Sequence, residues 1–186
     1  MALDAFGRLR TSQPFTTFDY YPSTETSTNL DQDIWYSAIG GTATQTYNTD
    51  NYILMTINNS NDYCLRLTKS PMEYQPGKSR LIFLTGVLLT GTIGSNVITS
   101  RVGLFNVDTS TPPIITDGTY FQTTGTILQW CESISSLSTV TSVNQSSWNI
   151  DTFDGNGPSG KTLSSSNLST VLLWVATSTI KVDNSL

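Results

Sequence analysis

No stretch of ten or more residues in this chain carries the apolar spacing of an amphipathic helix, while short β-branched and aromatic runs recur from Ile34 onward. Ile34–Ile39, Thr42–Tyr47, Tyr52–Ile57 and Tyr63–Thr68 are separated by Gly-Gly, Asn-Thr-Asp-Asn and Asn-Asn-Ser-Asn-Asp. Those separators turn a chain readily, because glycine tolerates positive φ and Asn and Asp side chains bond their own backbone. Arg80–Thr92, RLIFLTGVLLTGT, is the strongest strand run, and Gly94-Ser95-Asn96 predicts a turn back into Val97–Phe105 as a hairpin. Thr119–Thr123 and Thr126–Glu132 flank Gly125, and Ser138–Val143 and Val171–Val182 complete the set. Many short strands with turns between them predict an all-β fold: an antiparallel β-sandwich, specifically a single jelly roll. The C-terminal run has no following partner in sequence, so it must pair with an earlier strand or with a neighbouring subunit.

Residues 1–30 read differently, as an extended N-terminal arm and a turn-rich lead-in to a sandwich domain over 31–186. Phe6, Leu9, Phe15, Phe18 and Tyr20 are spaced by polar residues, and Pro14 and Pro22 oppose a helix. Arg8 and Arg10 alternate with Leu9, as in an extended segment with charge on one side. An aromatic-rich arm of this kind lies on its own domain or on a neighbour, which makes Phe6, Arg8, Leu9, Arg10, Phe15 and Phe18 candidate inter-subunit contacts. The alternative for the two arginines is plain solvation.

The stretch Trp148–Leu163, WNIDTFDGNGPSGKTL, imitates a nucleotide site. Gly155 to Thr162 satisfies the pattern G-x-x-x-x-G-K-[ST], whose amides would cradle phosphates with Lys161 reaching the terminal ones. That mechanism needs a buried strand before the loop and a helix after it. Polar Ser-Ser-Trp-Asn-Ile-Asp precedes it here, a serine run follows, and Asp154 adds negative charge beside the would-be phosphates. The better reading is a structural loop, with Trp148, Asp151, Asp154, Gly155, Gly157, Pro158 and Gly160 shaping its turns. Asp151, Asp154 and Asn156 could offer oxygens to calcium, but their spacing is not that of an EF-hand.

The chain has no histidine, which removes Ser-His-Asp and Cys-His catalysis and most zinc or iron sites. Cys64 and Cys131 sit in apolar runs and read as buried thiols, with a single bridge as the alternative. Arg66, on the side of Tyr63–Thr68 opposite Leu65 under period two, points outward or pairs with a carboxylate across the sheet. Nine basic against fourteen acidic residues give a net charge of −5, with no clustered Lys and Arg for nucleic acid. Leu81–Leu89 is too short and interrupted to span a bilayer, and no basic-then-apolar leader follows Met1. No cofactor and no enzyme activity are expected. The asparagine sequons at Asn58, Asn144 and Asn167 fit chance in a chain so rich in Asn, Ser and Thr.

Several blocks resemble a virion structural protein family of tailed phages and large DNA viruses. They are Asp4-Ala-Phe-Gly-Arg-Leu-Arg-Thr-Ser-Gln-Pro-Phe-Thr-Thr-Phe-Asp19, Tyr74-Gln-Pro-Gly-Lys-Ser79, Arg101-Val-Gly-Leu-Phe105, Gln145-Ser-Ser-Trp-Asn-Ile-Asp151 and Asp154-Gly-Asn-Gly-Pro-Ser-Gly160, in the family's order. The resemblance implies a β-rich particle protein without catalysis, located in the virion and partnered by other virion proteins and by its own copies. It also implies another residue at position 161, so that the P-loop match is accidental. Family members continue past Trp174 with further strand sequence, whereas this chain reads VATSTIKVDNSL; its final strands are expected to differ, be missing or come from a partner. A capsid component, at a vertex or penton or as a minor capsid protein, leads. The alternative is a phage tail or fibre component with a receptor- or glycan-binding role, for which Trp35, Trp130 and Trp148 are candidates unless they pack in the core.

Overall fold

A computed structural model describes residues 16–22, 31–72, 80–88, 91–108, 110–134, 139–163 and 169–175 of the protein. Twelve strands and a 3-10 turn appear among them, and no helix there is long and apolar enough to cross a membrane. The chain is all-β, and every pairing with a defined register is antiparallel, an organisation compatible with a β-sandwich. Arm residues Phe6, Arg8, Leu9, Arg10 and Phe15, and the expected boundary near residue 30, lie outside the described residues.

The chain gathers into two compact units interleaved along the sequence. One takes in Met1–Ile39, Thr44–Thr56 and Cys64–Glu73. In it, β1 (Trp35–Gly40) neighbours β4 (Tyr63–Thr68), while β2 (Thr44–Asn48) pairs with β3 (Tyr52–Thr56). Asn51, at φ +64°, makes the β2–β3 turn, and its side chain accepts from the Tyr47 hydroxyl at 2.6 Å. Asparagine suits the position because its short polar side chain tolerates the left-handed region. Three half-buried rings pack together in this unit. Phe18 and Tyr20 meet Trp35 edge-on at 5.6 and 5.0 Å, and Arg66 lies over Trp35 at 4.8 Å. The Arg66 guanidinium also donates to the Tyr20 hydroxyl at 3.2 Å. The Arg66 guanidinium lies against ring faces, where a planar, weakly hydrated cation gains electrostatically from the ring quadrupole.

The other unit comprises Gly40–Ala43, Ile57–Tyr63 and Tyr74–Leu186. Its main sheet runs β11–β10–β9–β8, built from β8 (Thr99–Val107), β9 (Ile115–Thr124), β10 (Ile127–Ile134) and β11 (Thr139–Asn144). Gly125, at φ +61°, opens the two-residue β9–β10 turn that the sequence places there. Two glycines let the β8 and β9 backbones approach closely. Gly103 faces Tyr120 and Gly118 faces Phe105, and a Cβ on Gly103 would come within 2.6 Å of the Tyr120 Cα. Phe105 and Tyr120 then meet edge-on at 5.8 Å. Tyr120, Phe121, Leu128 and Cys131 are buried in this sheet, and burial pushes the Cys131 thiol and Tyr120 hydroxyl above their ordinary values. Neither Cys64 nor Cys131 forms a disulfide.

The predicted hairpin of Arg80–Thr92 with Val97–Phe105 is corrected. The run breaks into β5 (Arg80–Gly86) and β6 (Thr92–Ile93), with Gly91 at φ +106° between them. Glycines at 86 and 91 interrupt a strand that β-propensity alone would continue. Gly94 does turn the chain, but only into β7 (Asn96–Val97). β8 takes β9 as its partner, and β5 takes β12 (Ser169–Val175), Phe83 facing Leu172 and Ile82 facing Leu173. Up to Val175 the C-terminal run therefore pairs with an earlier strand of its own chain, and residues 176–182 of it lie outside the described residues.

At the Gly40–Ala43 and Ile57–Tyr63 segments, one carboxylate ties two turns together. Asp62 accepts from the Thr42 hydroxyl at 2.7 Å and from the amides of Thr42, Asn58 and Asn59 at 2.9–3.0 Å. These bonds, the Thr42 hydroxyl first, hold its pKa at about 2 against an ordinary 3.8. A depressed carboxyl contributes stability above its unfolded pKa and loses it as pH falls through the folded one. The Asp62 carboxyl should therefore titrate near pH 2 by NMR, with the Thr42 and Asn59 amide shifts following it; a midpoint at 3.8 would show that the cage does not form.

Candidate functional site: an aromatic cleft beside a stapled loop

β11 runs into a 3-10 turn, Gln145–Ser147, and then into the loop that ends at Leu163. The loop closes on itself as a narrow hairpin. Gly155 N donates to Lys161 O at 3.1 Å, Leu163 N to Phe153 O at 2.7 Å, and Asp154 bridges Thr162. Asp151 acts as a staple inside it, accepting from Phe153 N at 2.7 Å and Ser159 N at 2.8 Å. Gly157 sits against that carboxylate so closely that a Cβ would run into Asp151 Oδ1. Gly155 and Gly160, at φ +91° and +61°, serve the backbone instead. Gln145 anchors both arms of the hairpin, its amide donating to Phe153 O at 3.2 Å and Leu163 O at 3.1 Å.

This wiring answers the nucleotide question. A phosphate cradle needs several amides pointing into empty space. Here those of Phe153, Gly155, Asn156, Ser159, Gly160, Lys161 and Leu163 are already donated within the loop. The carboxylates are committed as well. Ser159, through its hydroxyl first, and the Phe153 amide hold Asp151 below the usual carboxylate range, and the Asn156 amide first does the same for Asp154. Among the described residues no three Asp, Glu, Cys or His side chains gather as metal ligands.

The loop's outer wall borders an open recess. Across the main sheet, Val102, Phe121, Trp130 and Val143 are successive cross-strand partners, so their side chains share a face. Trp148 folds back over this row and donates its indole N–H to Val143 O at 3.3 Å. Phe121 meets Trp130 at 5.1 Å and Trp148 at 6.1 Å, and Phe153 backs Trp148 at 6.3 Å. Between them lies an open cleft of about 430 Å³ lined by Phe121, Trp130, Val143, Ser147, Trp148 and Asn149. Among the described residues its lining carries no charged side chain. Beside it Ile150 is 82% exposed.

Of the residues singled out from sequence, Trp148, Asp151, Asp154, Gly155, Gly157, Pro158 and Gly160 come together in this one loop. Trp130 joins Trp148 at the cleft, whereas Trp35 belongs to the ring cluster with Phe18 and Arg66. Sequence reasoning missed Phe121 and Gln145. Phe121 was legible as the alternate of a strand residue facing Trp130; nothing local marks Gln145 as an anchor for residues 8 and 18 positions further on. No family model matches the chain, and neither curated proteins nor solved structures show a match to it.

Replacing Gly157 by alanine should displace the Asp151 carboxylate and open the hairpin, read as faster proteolytic cutting between residues 153 and 163 and a lower Tm. Lys161→Ala should leave both unchanged, since the exposed Lys161 contributes its backbone and not its side chain. The reverse pattern would return the loop to a lysine-dependent role.

Proposed function

We propose that this chain is a structural protein of a virus particle, a capsid component at a vertex or penton or a minor capsid protein, acting through protein–protein contacts. In this reading it is a single jelly roll with an N-terminal contact arm, it self-associates, it works in the virion beside other virion proteins, and it has no catalytic step. The observation that carries it is the apolar surface left on its strands. Phe83 on β5 is 67% exposed and Val140 on β11 61%, with Val97 on β7 and Ile127 on β10 also exposed. Scattered apolar residues are ordinary, but several on sheet strands of one unit suit burial against neighbouring subunits. The resemblance of the Asp4–Asp19, Arg101–Phe105 and Gln145–Gly160 blocks to virion proteins points the same way.

A second reading, a tail or fibre component that binds a receptor or glycan, draws on the cleft. Uncharged tryptophan faces beside Ser147 and Asn149 suit the apolar face and hydroxyls of a neutral sugar.

Sedimentation over a concentration series tests the first reading. The wild type should associate, and lysine at Val140 or Phe83 should shift association to at least about tenfold higher concentration. A protein that stays monomeric throughout would refute it, and quenching of tryptophan fluorescence by neutral oligosaccharides in that monomer would favour the second.

A further inference from the structure

The opposite face of the main sheet carries a different row. Arg101, Gln122, Gln129 and Asn144 are successive partners across β8, β9, β10 and β11. They also bond to one another in series. Arg101 Nε donates to Gln122 Oε1 at 2.7 Å, Gln122 Nε2 to Gln129 Oε1 at 3.1 Å, and Gln129 Nε2 to Asn144 Oδ1 at 2.8 Å. Gln122 Nε2 also reaches Thr124 Oγ1 at 3.1 Å. Arginine has only donors, so Gln122 must present its oxygen to it. That choice fixes the orientation of every amide after it. The row is therefore polarised, and it ends in donors on both sides: the guanidinium terminus on β8 and the Asn144 NH₂ on β11.

Arg101 and Asn144 are both exposed, and among the described residues no carboxylate pairs with the Arg101 guanidinium. Its Nε bond to Gln122 holds the guanidinium in place, leaving the fork of its outer nitrogens presented to solvent. A guanidinium held this way matches a carboxylate with two parallel bonds. Three strand spacings separate the two ends, roughly 14 Å.

We propose that this row is a binding site for an acidic oligosaccharide, with a sugar carboxylate on Arg101 and hydroxyl or ring oxygens accepting from Gln129 and Asn144. Between the ends stand amides and the Thr124 hydroxyl, which suit a polyhydroxylated chain. A peptide strand would look instead for backbone pairing and alternating side-chain pockets. The site lies on the other face from the aromatic cleft and does not depend on self-association. Its test therefore runs on the isolated chain and can fail or succeed separately from the assembly reading.

The probes are sialyllactose, which carries one carboxylate, its methyl ester, and a glycine-rich peptide with one glutamate. NMR titration should show binding of sialyllactose with shifts centred on Arg101, Gln122 and Asn144. The methyl ester should bind at least about tenfold more weakly, as should Arg101→Gln with the acid, the scale of a lost charged bidentate contact. Arg101→Lys, which keeps the charge but loses the fork, should fall between, and Asn144→Asp, at the far end, should also weaken binding without touching the arginine. Unchanged Tm in these variants confirms that the fold survives, and Asn144→Asp carries the test if Arg101→Gln does not fold. Equal binding of acid and ester, full affinity in Arg101→Gln and Asn144→Asp, or no binding at millimolar sugar would overturn the proposal; equal affinity for the glutamate peptide would overturn the sugar assignment.

Discussion

The pairing of β9 with β10 is the constraint on which the larger unit depends. Seven consecutive residue pairs run from Ile127↔Thr124 to Ser133↔Gly118. Both strands are interior to the four-stranded sheet, so each has its backbone groups satisfied on both sides. Most of the described buried side chains sit on them: Tyr120, Phe121, Thr123, Leu128, Cys131 and Ser133. Removing the ladder would strip cover from those residues and separate the two faces that carry the cleft and the amide row. The hairpin is also local in sequence, which lowers the entropy of closing it before any distant strand arrives.

Local chemistry explains what was readable in the sequence. Tyr63–Thr68 is a strand over its whole predicted length, and Gly125 makes the turn it was expected to make, because each depends on neighbours within a few residues. The β5–β12 pair does not, joining residues on either side of the main sheet's entire sequence. Propensity favoured the nearer partner for Arg80–Gly86, and tertiary pairing overrode it. The rings around Arg66 were not legible for a related reason: period two gives the side a residue points to, not that Trp35 and Tyr20 would be waiting there.

The loop shows how one composition serves two physical ends. Glycines, a lysine and a threonine suffice to match a phosphate-binding pattern, but the deciding quantity is where the amides point. Asp151 and Asp154, legible as turn formers, draw those amides inward. At Gly157 the constraint is the nearness of the Asp151 carboxylate rather than an unusual φ. The cleft was only half legible, since Trp148 and Trp130 stand out in composition while their meeting with Phe121 depends on strand register.

The central claim is that the β9–β10 ladder is the most stable element of the larger unit and that the other strands of its sheet are built upon it. Native-state amide hydrogen exchange of the isolated chain tests this directly. The slowest amides should lie in Tyr120–Thr123 and Leu128–Ser133, exchanging only through global unfolding, while those of the outer strand β11 and of the short β6–β7 hairpin open locally and faster. Protection in β6–β7 or β11 equal to that in β9 and β10 would contradict the account.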